Sequence, residues 1–244
     1  MGCKKVIFDI LSGLNVEYES PTKIGNLEYE CLTKLYQLGS ECSETLMQTG
    51  QELLERCEES EDIEYKFQLV LDSLAKRCHP GALELNIAAL VSEKTRDKEA
   101  YINLLATFKN PLAISALVHA IKADDSTGEE EGGIRYKAIE LLHLLGAKEV
   151  TSMIIPFVKD SAYRVRESAI DFLVKFDIRE VAPIFVDQLA QEEYPINLAK
   201  LISGLVSWKW TDTLPELREL LASDWVRNDK TLQTTVSNAI LALS

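Results

Sequence analysis

The residues best suited to metal binding or nucleophilic chemistry are three histidines and five cysteines, and their spacing supports neither. His79, His119 and His143 form no H-x-x-x-H pair, and Cys3, Cys31, Cys42, Cys57 and Cys78 contain no C-x-x-C step. Zinc sites draw their ligands in such pairs because one turn must present two donors to one ion. Cys78 and His79 adjoin, but neighbouring side chains on a helix diverge, and Pro80-Gly81 reads as a turn; the pair is a helix end. His143, among Leu141, Leu142, Leu144 and Leu145, reads as a partly buried helix residue. His119 lies on the outward side of its helix with Ser115 and Lys122, where His119 and Lys122 could touch a partner. Gly132-Gly133 lacks the further glycines and the lysine of a phosphate loop, and no G-x-S-x-G elbow is present. The expectation is a protein without catalytic residues, cofactor or metal.

Two other groups of residues suggest contacts. Trp208, Trp210 and Trp225 fall in or beside successive turns, and tryptophan is enriched in binding hot spots. Acids gather at Glu52, Glu55, Glu58, Glu59, Glu61, Asp62 and Glu64, and again at Asp124, Asp125, Glu129, Glu130 and Glu131. The formal net charge is −13, of which residues 1–64 contribute −9. Nucleic-acid binding needs a basic face to displace counterions, so it is not expected. The charge points instead to a protein partner with a basic surface, steered by electrostatics.

Composition sets the frame that must hold these residues. With 46% apolar residues, 7% aromatics, 11 Gly and 7 Pro in 244 residues, long helices are favoured over a sandwich or barrel. No apolar run approaches the ~20 residues needed to span a bilayer, so no membrane partner is expected. The start lacks the pattern of a secretory signal, and Val6 stands where a myristoylation motif wants Ser or Thr. An odd number of cysteines without a framework reads as reduced thiols in the cytoplasm.

A repeat orders the C-terminal half. Ile134-Arg135 through Leu142 aligns with Val165-Arg166 through Leu173, and further copies open at Ile196-Asn197 and Val226-Arg227. The start thus moves from 134 to 165, 196 and 226. A fixed step of about 30 residues is the mark of a solenoid. Second helices follow on the same step: Val150, Ile154, Phe157 and Val158; Val181, Ile184, Phe185 and Leu189; Leu214, Leu217, Leu220 and Leu221. Spacings of three and four put each set on one helical face, and one pair of helices cannot bury such a stripe alone. Another second helix spans 110–123. Removing eight residues, Ser126 to Gly133, brings Arg96 into the register of Arg135, so 124–133 is an acidic insertion, of the kind that projects as a binding loop. The first third reads as helices near 3–12, 26–38, 41–58, 61–77 and 80–94. The expected architecture is one all-α chain, a right-handed α-solenoid over 1–244, with 1–94 as degenerate repeats or cap and 95–244 as recognisable repeats.

The run Leu214-Pro215-Glu216-Leu217-Arg218-Glu219-Leu220-Leu221 to Asp224-Trp225-Val226-Arg227 resembles the short HEAT repeat of the phycobilisome-lyase type. Asp160 to Ala169 matches its Asp…Val-Arg…Ala portion, while the copy at 191–197 departs, with Glu192 for Asp and Asn197 for Arg. In this motif an Asp caps a helix and an Arg in the next turn bonds it or its counterpart in a neighbouring repeat. Asp160, Arg135, Arg166, Asp224 and Arg227 are therefore expected to be structural. The resemblance implies a non-catalytic scaffold, adaptor or inhibitor, such as an immunity protein neutralising a basic toxin. The repeat subtype alone suggests a phycobilin lyase or chromophore chaperone, and a HEAT-fold DNA glycosylase is the reading the charge disfavours.

Overall fold

A computed structural model of the protein describes residues 2–14, 21–128 and 132–244. The protein is all-α: the described residues hold fifteen α-helices and short 3-10 turns, with no strand. No described helix is long and apolar enough to cross a membrane. The chain divides into two compact units, residues 1–120 and 121–244. The division falls inside a helix that ends at the acidic insertion.

The first unit comprises α1 (Cys3–Ser12), α2 (Pro21–Tyr36), α3 (Ser43–Leu54), α4 (Glu61–Lys76), α5 (Ala82–Val91) and α6 (Lys98–Phe108), and the division crosses α7 (Ile114–Ala123). Ser60 caps α4 by accepting from the Ile63 amide at 3.2 Å, and Glu61, Asp62 and Glu64 in its first turn face the positive end of the helix dipole. Asp97 caps α6 in the same way through the Ala100 amide. Helices α3 and α5 pack on α4 and α6, and Phe67, Leu71, Leu74, Leu90, Tyr101 and Ile102 are fully enclosed. Glu64 is buried too, because its carboxylate accepts from the Arg96 amide (2.8 Å), the Asp97 amide (3.0 Å) and the Tyr101 hydroxyl (3.0 Å).

A disulfide joins Cys3 to Cys42, with their Cα atoms 5.4 Å apart, and ties α1 to the turn before α3. This corrects the expectation of five reduced thiols. The two cysteines are 39 residues apart and meet only because α1 packs on α3, which no local spacing reveals. Cys31 and Cys57 are free and buried, and Cys78 is free and exposed. Burial, with Glu64 adding to it, pushes the Cys57 thiol up to about 12, so it is inert near neutral pH.

The second unit holds α8 (Gly133–Leu145), α9 (Thr151–Ile154), α10 (Tyr163–Lys175), α11 (Ala182–Leu189), α12 (Pro195–Ser207), α13 (Leu214–Ala222), α14 (Asp224–Asn228) and α15 (Lys230–Leu243). Helices α8, α10, α12 and α15 each pack on the next, while the 3-10 turn at 155–159, α11 and α13 pack on α10, α12 and α15. Of the apolar stripes read from the second helices, Ile154, Val158, Val181, Phe185, Leu189 and Leu217 are buried, while Val150, Phe157, Ile184, Leu214, Leu220 and Leu221 are half-buried. Close approach has a sequence requirement at Gly204, where a Cβ would sit 2.8 Å from Val174 Cγ2.

One backbone feature recurs in both units without a residue type to announce it. A left-handed residue follows each of α4, α6, α8, α10 and α12: Cys78, Lys109, Gly146, Asp177 and Lys209. This conformation ends a helix and turns the chain into the next one. Cys78 to Lys109 and Gly146 to Asp177 are equal steps, whereas Lys109 to Gly146 is longer by six positions. The same longer interval, counted back from Arg135, falls on Lys98 rather than on Arg96.

Candidate functional site: an arginine ladder under a carboxylate ledge

The most ordered polar structure in the second unit is a ladder of buried guanidinium groups. Arg135, near the start of α8, donates to Asp124 Oδ2 at 3.0 Å and to the Ser126 carbonyl at 2.8 Å. It also reaches Asp160 in the next turn, at 3.1 and 3.3 Å. Arg166, one step on in α10, repeats the arrangement with the Asp160 and Ser161 carbonyls, both at 2.9 Å, and with both oxygens of Glu192 at 2.8 Å. In the first unit Lys98 plays the corresponding local part, its ammonium donating to the Ser92 carbonyl and the Thr95 hydroxyl. Burial holds the Lys98 ammonium below the usual lysine range. Each ladder base thus closes the turn before its own helix, and each arginine also clamps a later turn, that of Asp160 before α10 or of Glu192 before α12.

Asn197 occupies the next rung and ends the ladder. Its amide donates to the Tyr163 carbonyl at 2.9 Å, and its buried Oδ1 has no partner. Arg227 and Asp224 do not continue the ladder, which corrects their reading as ladder residues. They meet at 3.8 Å with side chains 58% and 96% exposed, and Ser223 rather than Asp224 caps α14. The departure at Glu192 proves compatible with the pattern, because its longer side chain spans the distance to Arg166. The acid of a rung lies 25 or 26 residues after its base, as in 135 to 160 and 166 to 192. A matching interval runs from Lys98 to Asp124, a signal that could have marked Asp124 as an internal residue.

Several expected contact residues are withdrawn from the surface. Asp124 is 6% exposed at its side chain and engaged by Arg135, so it is not a partner contact. Trp208 is 6% exposed and packs on Phe185 with ring centroids 5.1 Å apart, which removes it from any surface patch with the other two tryptophans. It lies just past α12, in a turn to which sequence periodicity does not extend. Trp210 is half-buried; Trp225 is 37% exposed and borders a hollow of about 400 Å³ with Glu193 and Leu220. Of the other expected contacts, Lys122 is exposed, and His119 and Asp125 keep at least part of their surface open. Glu129, Glu130 and Glu131 lie outside the described residues.

The N-terminal acids are largely knitted into their own unit. Glu52 pairs with Lys4, Glu55 with Lys94, Glu59 with Arg56 and Asp62 with Lys66, while Glu64 is internal. His143 lies half-buried against Phe172 and Phe176, and His79 Nδ1 accepts the Gly81 amide. Among the described residues, no three His, Cys, Asp or Glu side chains group as metal ligands.

An open cluster that the sequence did not single out lies on the outer faces of α8, α10 and α12. Glu140, Glu167 and Asp171 converge there, and Lys200 from α12 bonds the latter two. Burial, then the charges of Glu167 and Asp171, raises the Glu140 carboxyl above its ordinary range, despite Arg164 and Lys200 nearby. At the edge of this ledge, Arg164 is held between the rings of Tyr136 and Tyr163, 5.4 and 5.9 Å from their centroids, and Tyr163 stacks on Tyr194 at 4.3 Å. Glu140 follows Arg135 at the same offset as Asp171 follows Arg166, so the repeat itself places one above the other. No family model and no curated protein matches this sequence.

Proposed function

We propose that the chain is a HEAT-like α-solenoid protein that binds another protein with a basic surface and catalyses no reaction. The observation that carries this reading is the ledge of Glu140, Glu167 and Asp171. The second unit spends Arg135 and Arg166 inside, on its own turns, and leaves Glu140 outside beside Glu167 and Asp171, which Lys200 pairs but whose charges still act on Glu140. Such crowding costs the free protein stability, and a partner's lysine or arginine relieves it. The regular register of the C-terminal half supports the repeat reading, and the left-handed residue after five helices, two of them in the first unit, is a further observation in its favour. Inhibition of a basic toxin, in the manner of an immunity protein, is the specific form that the charge favours. The test is capture from extract of the native source at physiological salt. A basic protein should be retained by the wild type and lost from a Glu140→Gln/Glu167→Gln/Asp171→Asn variant. Absence of any retained protein at every salt concentration sinks the reading.

A further inference from the structure

The first unit carries a groove on the face formed by α2, α4 and α6. Two adjoining hollows, of about 500 and 730 Å³, share Asp72, Leu104 and Thr107. The groove follows α4 from Tyr65 to Lys76, about 16 Å at the helical rise, which is the length of three helical turns. Leu32, Leu69, Leu83, Leu104 and Phe108 give it an apolar floor.

Its polar groups have one sign at one end. Around the smaller hollow stand two carboxylates, Glu28 and Asp72, with no lysine or arginine among the described lining residues. Asp72 is bonded by a phenol, the Tyr36 hydroxyl donating to it, and Tyr65 stands beside Glu28. Burial and these carboxylates push both phenols well above the ordinary tyrosine range, so they stay protonated. A phenol fixes a carboxylate's direction without neutralising its charge. Glu28 and Asp72 thus stand beside an apolar trough, with Tyr36 fixing the direction of Asp72. Asp72 also lines the larger hollow, where Lys76, one turn further along α4, and His79 stand with it, so the anionic character is confined to the margin from Glu28 to Asp72.

We propose that this groove receives an amphipathic helix of a partner protein, with apolar side chains on the Leu69–Leu104 floor and a lysine or arginine against Glu28 and Asp72. The inference rests on the protein-binding reading above but on different residues, in the other unit. An apolar trough of three turns' length with charge at one margin matches the way grooves read apolar anchors at helical spacing. The charge complementarity selects a cationic occupant over an acidic one.

The probe is a synthetic helical peptide of about four turns with leucine on one face and lysine on the other, titrated into the full chain. A peptide carrying glutamate in place of lysine is its control. The lysine peptide should bind, and it should protect the amides of α4 and α6 from hydrogen exchange. Glu28→Gln with Asp72→Asn should weaken it roughly fivefold or more, as two charge contacts of ordinary strength require. Leu104→Lys should abolish binding, whereas Glu219→Gln, at an exposed acid of the other unit, should leave it unchanged. Equal binding of the glutamate peptide, protection confined to α8–α12, no binding, or indifference to the Glu28/Asp72 variant each overturns the proposal. Retention of a basic protein that depends on the Glu140 ledge but not on Glu28, Asp72 or Leu104 leaves the protein-binding reading standing and refutes the groove alone.

Discussion

Replacing Arg166 by methionine tests the ladder as an energetic unit. The guanidinium makes two 2.8 Å bonds to Glu192, whose side chain is 0% exposed, and two 2.9 Å bonds to the Asp160 and Ser161 carbonyls. Arg166→Met leaves a buried carboxylate without its counter-charge and two carbonyls without their donor. Removing one member of a buried pair costs about 3–5 kcal/mol, a large share of the roughly 5–15 kcal/mol that stabilises a domain. Glu192→Leu should cost a similar amount, because it strands the guanidinium instead. Arg166→Met with Glu192→Leu removes both charges and should cost much less than the sum, with a coupling of about 3 kcal/mol or more. Arg227→Met, at an exposed pair 3.8 Å apart, should change stability by no more than about 0.5 kcal/mol. Urea unfolding followed by tryptophan fluorescence reads the second unit selectively, since all three tryptophans lie between 208 and 225. Single variants that each cost under about 1 kcal/mol and add without coupling would refute the ladder as a clamp between repeats.

Further expectations concern the core, the ledge and the disulfide. Trp208→Ala should lose about 3–5 kcal/mol in the same urea assay, and Trp225→Ala far less, because only the former empties a packed site. Glu140 binds its proton more tightly in the folded state, so its contribution is favourable at low pH and is lost as pH rises through its folded-state range. Glu140→Gln should consequently be more stable than wild type at neutral pH, and the gap should close as pH falls below about 4, the unfolded glutamate value; a gap that widens on acidification contradicts the assignment. Reduction of Cys3–Cys42 frees a loop whose ends are 39 residues apart, and thermal unfolding with and without dithiothreitol should differ by about 4 kcal/mol on chain entropy. Identical curves would show that α1 is held by packing alone.

The helices were legible wherever an apolar stripe of constant period met a break in the sequence. The second helices and the register of the C-terminal half were read in this way, and Ile154, Val181, Phe185 and Leu217 lie buried along them. The first unit was harder, because the turns that end α4 and α6 are marked by a backbone conformation rather than a residue type. Cys78, Lys109, Asp177 and Lys209 all adopt the left-handed turn that glycine marks openly only at 146. The acid of each rung was obscured by its distance in sequence from its base, as from Arg135 to Asp160 and from Arg166 to Glu192. Asp124 was hidden inside what read as an exposed acidic loop. The ledge was missed for a different reason. Glu140, Glu167 and Asp171 each look like an ordinary solvated helix residue, and only the stacking of α8 on α10 makes them neighbours.

Association kinetics between the captured basic protein and this chain, across a range of salt concentrations, test the central claim most directly. With wild type, the association rate should fall steeply as salt rises, and neutralising Glu140, Glu167 and Asp171 should flatten that dependence while slowing association at low salt. A variant that associates at the wild-type rate with an unchanged salt slope would contradict the account.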